Sequence, residues 1–256
     1  MRQADRAAIL VFDLDGTILR VNSFPAWVLF LIAGRMPGLG MRRRLSLSLT
    51  SQAWLLRRKL RAASHDDLLR ALQRGWRRTV GSQCAPLAQR FENAMLAQMR
   101  PSMATVLAWV RAERMDAILA TAAAADYAEG LGTRLGFSHV VATPTDRSIG
   151  APGNVGVHKR DRVLALLAAK GWRERPMILF TDHVDDLPLI RESSVVYWFG
   201  AGAALPTVAN VRFIPSLELD GEALSAMLQR DCSLAEELGV SPRTPPEAPP
   251  LDSAKG

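Results

Sequence analysis

The chain has 256 residues and a mass of 28.0 kDa, more than one minimal core needs and enough for a large α/β domain or a core with an insert. With 48% hydrophobic and 22% charged residues it lies near globular averages, which excludes a disordered, collagen-like or coiled-coil chain. The net charge of +7 is unevenly placed: between Arg20 and Val80 thirteen Arg or Lys stand against Asp66 and Asp67, so that segment carries +11 and the remainder −4. Such a basic segment invites an anionic partner or is a solvated Arg-rich helical face.

Cys84 and Cys232 are far apart and have no Cys or His partner at ligand spacing, so neither a disulfide framework nor a structural zinc site is expected. The longest apolar stretch, Phe24 to Gly34, has 11 residues against the roughly 20 of a spanning helix. Met1 to Ala8 lacks the basic-then-apolar order of a secretory signal. A cytoplasmic protein without a membrane span is the expectation.

In chain order, Ala8 to Phe12 is a short apolar run that stops at acidic and glycine residues, the pattern of a buried strand ending in a loop. From about Val21 to Gln98, Trp54, Leu55, Leu56, Leu60, Leu68, Leu69, Leu72 and Trp76 recur at helical intervals with no β-rich run among them, which predicts an all-helical insert. Further strand-like runs follow at 116–120, 138–142, 177–180 and 195–199, with helical stretches such as Arg160 to Lys170 between them. Alternation of this kind predicts an α/β fold, a Rossmann-like parallel sheet covered on both faces. The expected division is a core of 1–20 and 110–240, a helical cap of 21–109, and a disordered, proline-rich tail of 241–256.

Ligands in such sheets bind at the carboxyl ends of the strands. After the first run comes Asp13-Leu-Asp-Gly-Thr17, and after the 177–180 run comes Thr181-Asp-His-Val-Asp-Asp186. One acidic pair at a strand end is usually only a turn; two clusters after buried-type strands point to a shared site. A carboxylate from each, with a backbone carbonyl and water, suits Mg²⁺, a hard ion that takes oxygen ligands and keeps part of its hydration.

The segment Phe12-Asp-Leu-Asp-Gly-Thr-Ile-Leu19 resembles the first motif of the haloacid dehalogenase superfamily. Thr121, Lys159, and Asp182 with Asp186 fall in the order of its second, third and fourth motifs. The ending Asp186-Leu-Pro-Leu-Ile190 is similar to the phosphoserine-phosphatase-like branch, whose helical cap lies between motifs one and two. The resemblance implies that Asp13 is a nucleophile forming an aspartyl-phosphate. It makes Asp15 a general acid and then base, and gives Thr121 and Lys159 the task of binding and neutralising the phosphoryl group. Asp13, the Asp15 carbonyl and Asp182 would hold Mg²⁺, with Asp186 orienting the site. Dehalogenases of the superfamily lack the second Asp, because a departing halide needs no proton, so Asp15 implies phosphate esters.

Taken singly, a threonine after a strand is most often a helix cap and a lysine at a helix start is most often solvated; the four-motif order is what singles out Thr121 and Lys159. Arg160 and Arg162 are neighbours of open role, His183 reads as a rim side chain, Asp185 is unassigned, and Thr181 stands where a glycine is common. Relatives acting on phosphoserine carry an acidic residue soon after the first motif, whereas this chain has Arg20, Val21, Asn22 and Ser23, which speaks against phosphoserine. The expected activity is a Mg²⁺-dependent phosphomonoesterase acting on a small phosphorylated metabolite or a lipid phosphate. The competing reading is a non-enzymatic peripheral protein docking on anionic lipid or nucleic acid through the basic cap, with nucleic acid the less favoured partner. The apolar run 24–32 beside Arg42, Arg43, Arg44, Arg57 and Arg58 suits an anionic membrane surface or else is the cap's own core.

Overall fold

Four consecutive apolar residues buried on both faces make β1 (Ile9–Phe12), the pattern of an interior parallel strand. The computed structural model describes residues 8–33, 36, 38–81, 84–145, 152–201, 207–209 and 211–238; the tail expected at 241–256 lies outside them. β1 is joined by β2 (Ala117–Ala124), β3 (His139–Thr143), β4 (Met177–Thr181), β5 (Val195–Trp198) and β6 (Arg212–Pro215). They form one sheet in the order β3-β2-β1-β4-β5-β6, and every pairing is parallel. The fold is the Rossmann-like α/β core expected from the alternation of strands and helices.

Alternate residues of each strand feed two apolar layers. Leu10, Phe12, Leu119, Phe180 and Tyr197 face one side, where Phe12 stacks on Phe180 at 4.2 Å and Phe180 on Tyr197 at 4.6 Å between ring centroids. Ile9, Val11, Ile118, Leu179 and Val196 face the other. There they meet Val163 and Leu167 of α7 (Val157–Ala169) and Leu189 and Ile190 of α8 (Leu187–Ile190).

Between β1 and β2 the chain leaves the sheet for α1 (Ser23–Ala33), α2 (Met41–Lys59), α3 (His65–Val80) and α4 (Cys84–Leu96). The helical spacing foreseen for α3 buries Leu68, Leu69, Leu72, Trp76 and Val80. A reciprocal cap between Ser64 and Asp67 fixes its start. Trp27, Val28 and Leu31 of α1 are buried and join one apolar cluster with Trp76, Phe91 and the sheet face, so most of the 24–32 run is interior. α5 (Pro101–Ala112) returns the chain to the sheet and packs along α9 (Gly221–Leu238). α6 (Ala125–Leu135) links β2 to β3.

The two connections to the helical insert are tied side by side. Arg20 donates its N–H to the Gln98 carbonyl and Arg100 to the Ile18 carbonyl, each at 2.9 Å, and Leu19 bridges Met99.

Two strands differ from expectation. β2 runs on to Ala124, past a register irregularity against β3 between Ala120 and Ala124, so Thr121 lies within the strand and does not follow it. β6 was not foreseen: Arg212-Phe-Ile-Pro215 is a four-residue edge strand with exposed ends, short and closed by proline as sheet edges often are.

Candidate active site

From β1 the chain winds outward through β2 to β3 and then returns to the other flank of β1 as β4. This reversal opens a crevice outside the carboxyl ends of the strands, and both acidic clusters follow the strands that border it. Phe12 is level with Phe180 and with Leu119; one residue further, the Asp13 N–H donates to the Phe180 carbonyl at 2.8 Å. Asp182 follows β4 at once. Gly16 lets the first loop pass against it, for its φ is +76° and a Cβ there would lie 1.9 Å from Asp182 Oδ2. No other residue type fits both constraints.

Lys159 sits in the first turn of α7, after Gly156 with φ 57°. Only 4% exposed, it donates from Nζ to Asp13 Oδ1 at 2.8 Å and to Asp186 Oδ2 at 3.0 Å, with Asp186 Oδ1 at 2.7 Å. The Thr181 hydroxyl donates to Asp186 Oδ2 at 2.6 Å, so the threonine at the unusual position orients the carboxylate that orients the lysine.

Asp15 faces the insert. It accepts the Ser23 N–H at 2.9 Å on Oδ1 and the Ser23 hydroxyl at 3.0 Å on Oδ2, and Ser23 Oγ lies 2.9 Å from the buried Tyr127 hydroxyl. Thr121 is buried, and its Oγ1 accepts the Ala123 N–H at 3.1 Å; a hydroxyl that accepts in this way keeps its own proton to donate.

Burial governs the titration of the cluster. It pushes Asp13 up to about 8, with Lys159 pulling against the shift and Asp186 and Asp15 adding to it. Asp15 is pushed up to about 6 by burial despite its two hydrogen bonds from Ser23, with Asp182 adding to the rise. Asp182 is likewise held above the usual carboxylate range, first by burial and then by Asp186. Burial opposes the charge of Lys159, but Asp13 and Asp186 outweigh it and keep the ammonium protonated well beyond the ordinary lysine range.

Asp13, Asp15, Asp182 and Asp186 thus crowd negative charge around Lys159, a setting that fits a divalent cation. Among the described residues no three His, Cys, Asp or Glu side chains converge as a ligand set. An ion here would be held by the Asp13 and Asp182 carboxylates, a main-chain carbonyl and water, the donor set that Mg²⁺ accepts.

Of the neighbours around the cluster, Asn154 and Arg100 had no signal in the sequence, whereas Arg160, Arg162 and His183 were singled out there. Asn154, fully buried, donates to the carbonyls of Thr121 and Val141, both at 2.8 Å, and so ties β2 to β3 where their register is irregular. Arg162 donates to Asn154 Oδ1 at 3.2 Å, while Arg160 turns to Asp161. Arg100 donates to the Gly16 carbonyl at 2.8 and 3.2 Å. His183 is exposed at the rim, its Nδ1 accepting the Asp185 N–H.

The sequence model of the haloacid dehalogenase-like hydrolase family matches residues 10–191, and the chain belongs to that family. Among solved structures it is similar to a Bordetella pertussis Tohama I protein of unknown function. That likeness has a TM-score of 0.62 at 17% identity, over 75% of this chain and 90% of that one. It is also similar to the unliganded probable phosphoserine phosphatase of Vibrio cholerae, with a TM-score of 0.58 at 13% identity, over 91% of this chain and 67% of that one. At such identities the likeness is one of fold. The helices inserted between β1 and β2 agree with the phosphoserine-phosphatase-like branch. No curated protein matches the sequence.

Proposed function

We propose that this hydrolase is a Mg²⁺-dependent phosphomonoesterase working through an aspartyl-phosphate on Asp13. The observation that carries the proposal is the buried Lys159 joining Asp13 to Asp186, with Asp15 held beside them by Ser23, the first residue of α1. A fixed cation against one oxygen of a carboxylate orients that carboxylate as a nucleophile and offsets charge gathered on a phosphoryl group.

In this reading an Asp13 oxygen attacks phosphorus while the bond to the leaving oxygen breaks, and Asp15 gives that oxygen its proton. Water then attacks the phosphorus of the aspartyl-phosphate, Asp15 takes the water's proton, and the Asp13 carboxylate is released with inorganic phosphate. A group pushed up to about 6 is suited to both halves of this exchange near neutral pH. Thr121 donates its hydroxyl proton to a phosphoryl oxygen. When bound by Asp13, Asp182 and the Asp15 carbonyl, Mg²⁺ supplies positive charge that favours ionised carboxylates and neutralises phosphoryl oxygens.

The substrate class is a small phosphorylated metabolite or a lipid phosphate. Phosphoserine is disfavoured, because the residues that follow the first motif, Arg20, Val21, Asn22 and Ser23, include no acid to meet an ammonium. In this reading a core of 1–20 and 110–240 carries a cap of 21–109, and the protein resides in the cytoplasm. The packing of α5 along α9 favours ending the cap before Pro101.

The test is Asp13→Asn. The parent should release phosphate from an aryl phosphate when Mg²⁺ is supplied, and Asp13→Asn should lose at least about 10³-fold in kcat with an unchanged circular dichroism spectrum. Retained turnover would remove the proposal.

A further inference from the structure

The described helices bury their apolar faces with one exception. On α2, Met41, Leu45, Leu49, Leu56 and Leu60, the last just past its end, are 78, 56, 63, 56 and 69% exposed. At 100° per residue these five positions fall within about 100° of one another around the helix axis. They lie along about 28 Å of the helix at 1.5 Å per residue, with exposed Gln52 in the same arc between Leu49 and Leu56. The helix does not need this stripe to fold, because Leu47, Ser51 and the half-buried Trp54 are what it turns toward the rest of the insert.

Every charged residue of α2 is basic, and Asp67, in the first turn of α3, feels the charge of Arg57. Arg42, Arg43, Arg57, Arg58, Lys59 and Arg61 are all exposed, and no Asp or Glu occurs between Arg20 and Asp66. The Arg57 guanidinium rests 4.7 Å from the centre of the Trp54 ring, a cation–π contact. Isolated exposed leucines need no explanation, but an ordered row of them rimmed by cations does.

From this pattern we infer that α2 is a docking surface for an anionic phospholipid membrane, lying in the plane of the interface with its leucine stripe among the acyl chains and its arginines against lipid phosphates. The pairing of an apolar strip with cationic flanks is what an interfacial helix requires. Charge favours lipid phosphate over a second copy of this chain as the occupant, since face-to-face contact would bring together two helices whose own charged residues are all cations. No helix among the described residues is long and apolar enough to cross a membrane; the contact proposed is along the surface. It stands whether or not the catalytic reading above holds, because neither the stripe nor its flanks belong to the carboxylate cluster.

The experiment is co-sedimentation of the full chain with vesicles of phosphatidylcholine alone or with about one third phosphatidylglycerol, at low and moderate salt, the range over which screening changes most. The parent should bind the anionic vesicles, less as salt rises, and bind neutral vesicles at least about tenfold more weakly. The variant Leu45→Ser/Leu49→Ser/Leu56→Ser should lose at least about tenfold in partition onto anionic vesicles, with its melting temperature unchanged because the three side chains are exposed. Arg42→Glu/Arg43→Glu/Arg57→Glu should lose as much. Hydrogen exchange of the unaltered parent supplies a check that needs no variant: peptides covering 41–61 should gain protection on anionic vesicles. The inference is overturned if the parent does not sediment with anionic vesicles. It is equally overturned if the leucine variant binds like the parent while only charge reversal matters, which would leave a purely electrostatic face of the kind that meets nucleic acid. Loss of a parent dimer in the leucine variant, without vesicle binding, would assign the stripe to a second copy.

Discussion

Asp15 is placed to have two lives. Its carboxylate is buried and pushed up to about 6, yet both of its oxygens accept hydrogen bonds from Ser23, which favour the ionised form. A group so balanced can hold a proton for a leaving oxygen and later remove one from water. Asp15→Asn is therefore expected to slow hydrolysis of alkyl phosphates, whose leaving groups need the proton, by about 10²–10⁴-fold. Aryl phosphates, with stabler leaving groups, should suffer by a smaller factor. Steady-state kcat on one substrate of each type checks this; equal losses on both would shift the role of Asp15 to the hydrolytic half or to holding the cation. The Tyr127 hydroxyl behind Ser23 completes the chain of hydrogen bonds and belongs to α6, so a residue of the core backs the residue of the insert that holds the acid.

At the scale of elements, local signals agree with the fold except at two helix ends. α2 and α5 close with Arg61 at φ 58° and Arg114 at φ 53°. These are left-handed positions where glycine is usual and a side chain costs free energy. Met115 donates back to Val110 at 3.0 Å and Arg114 to Arg111 at 3.2 Å, so the turn is required and the residue type is not. Arg114→Gly should stabilise the chain by about 0.5–1 kcal/mol, seen as a melting temperature about 1–4 °C higher; a decrease would mean that the arginine side chain contributes more than its backbone costs.

The interior strands were legible in the sequence because strands buried on both faces read as unbroken apolar runs: Ile9–Phe12 and 177–180 need no other cue. β6 was not, since Arg212-Phe-Ile-Pro215 gains its place only by pairing with β5. Nor was the extension of β2 through Thr121-Ala-Ala-Ala124, whose three alanines carry no strand preference. Spacing could not show which way α5 faces either, because an apolar helix face looks the same whether it meets a sheet or another helix. Within the site, the charged residues were readable from motif order, and the structure brings Asp13, Lys159 and Asp186 into contact. Ser23, Tyr127, Asn154 and Arg100 were not readable, because hydroxyls, amides and a backbone-binding arginine acquire meaning only from what the fold sets opposite them.

For the molecule as a whole, the carboxylate cluster links stability to pH and to cations. Asp13 is raised from an ordinary 3.8 to about 8 and Asp15 to about 6 in the cation-free protein. The folded chain therefore binds these protons more tightly than the unfolded chain does. The corresponding stability is fully present below about pH 4 and is lost progressively as pH rises through 6 and 8. Without cations these two groups alone should make the protein less stable at pH 8 than at pH 5. Mg²⁺, by compensating the ionised carboxylates, should raise the melting temperature more at pH 8 than at pH 5. Thermal melts in EDTA and in Mg²⁺ at the two pH values check both signs, and an equal Mg²⁺ effect at both would separate the cation from these carboxyls.

The claim on which the account turns is that Asp13 carries the phosphoryl group. Borohydride reduces an acyl phosphate but leaves a carboxylate untouched, so the decisive measurement is peptide mass spectrometry of enzyme quenched into borohydride during Mg²⁺-supported turnover of an aryl phosphate. Reduction to homoserine is expected at position 13, present in the parent with substrate and absent without it. Turnover with position 13 unreduced and another carboxyl reduced in its place would contradict it.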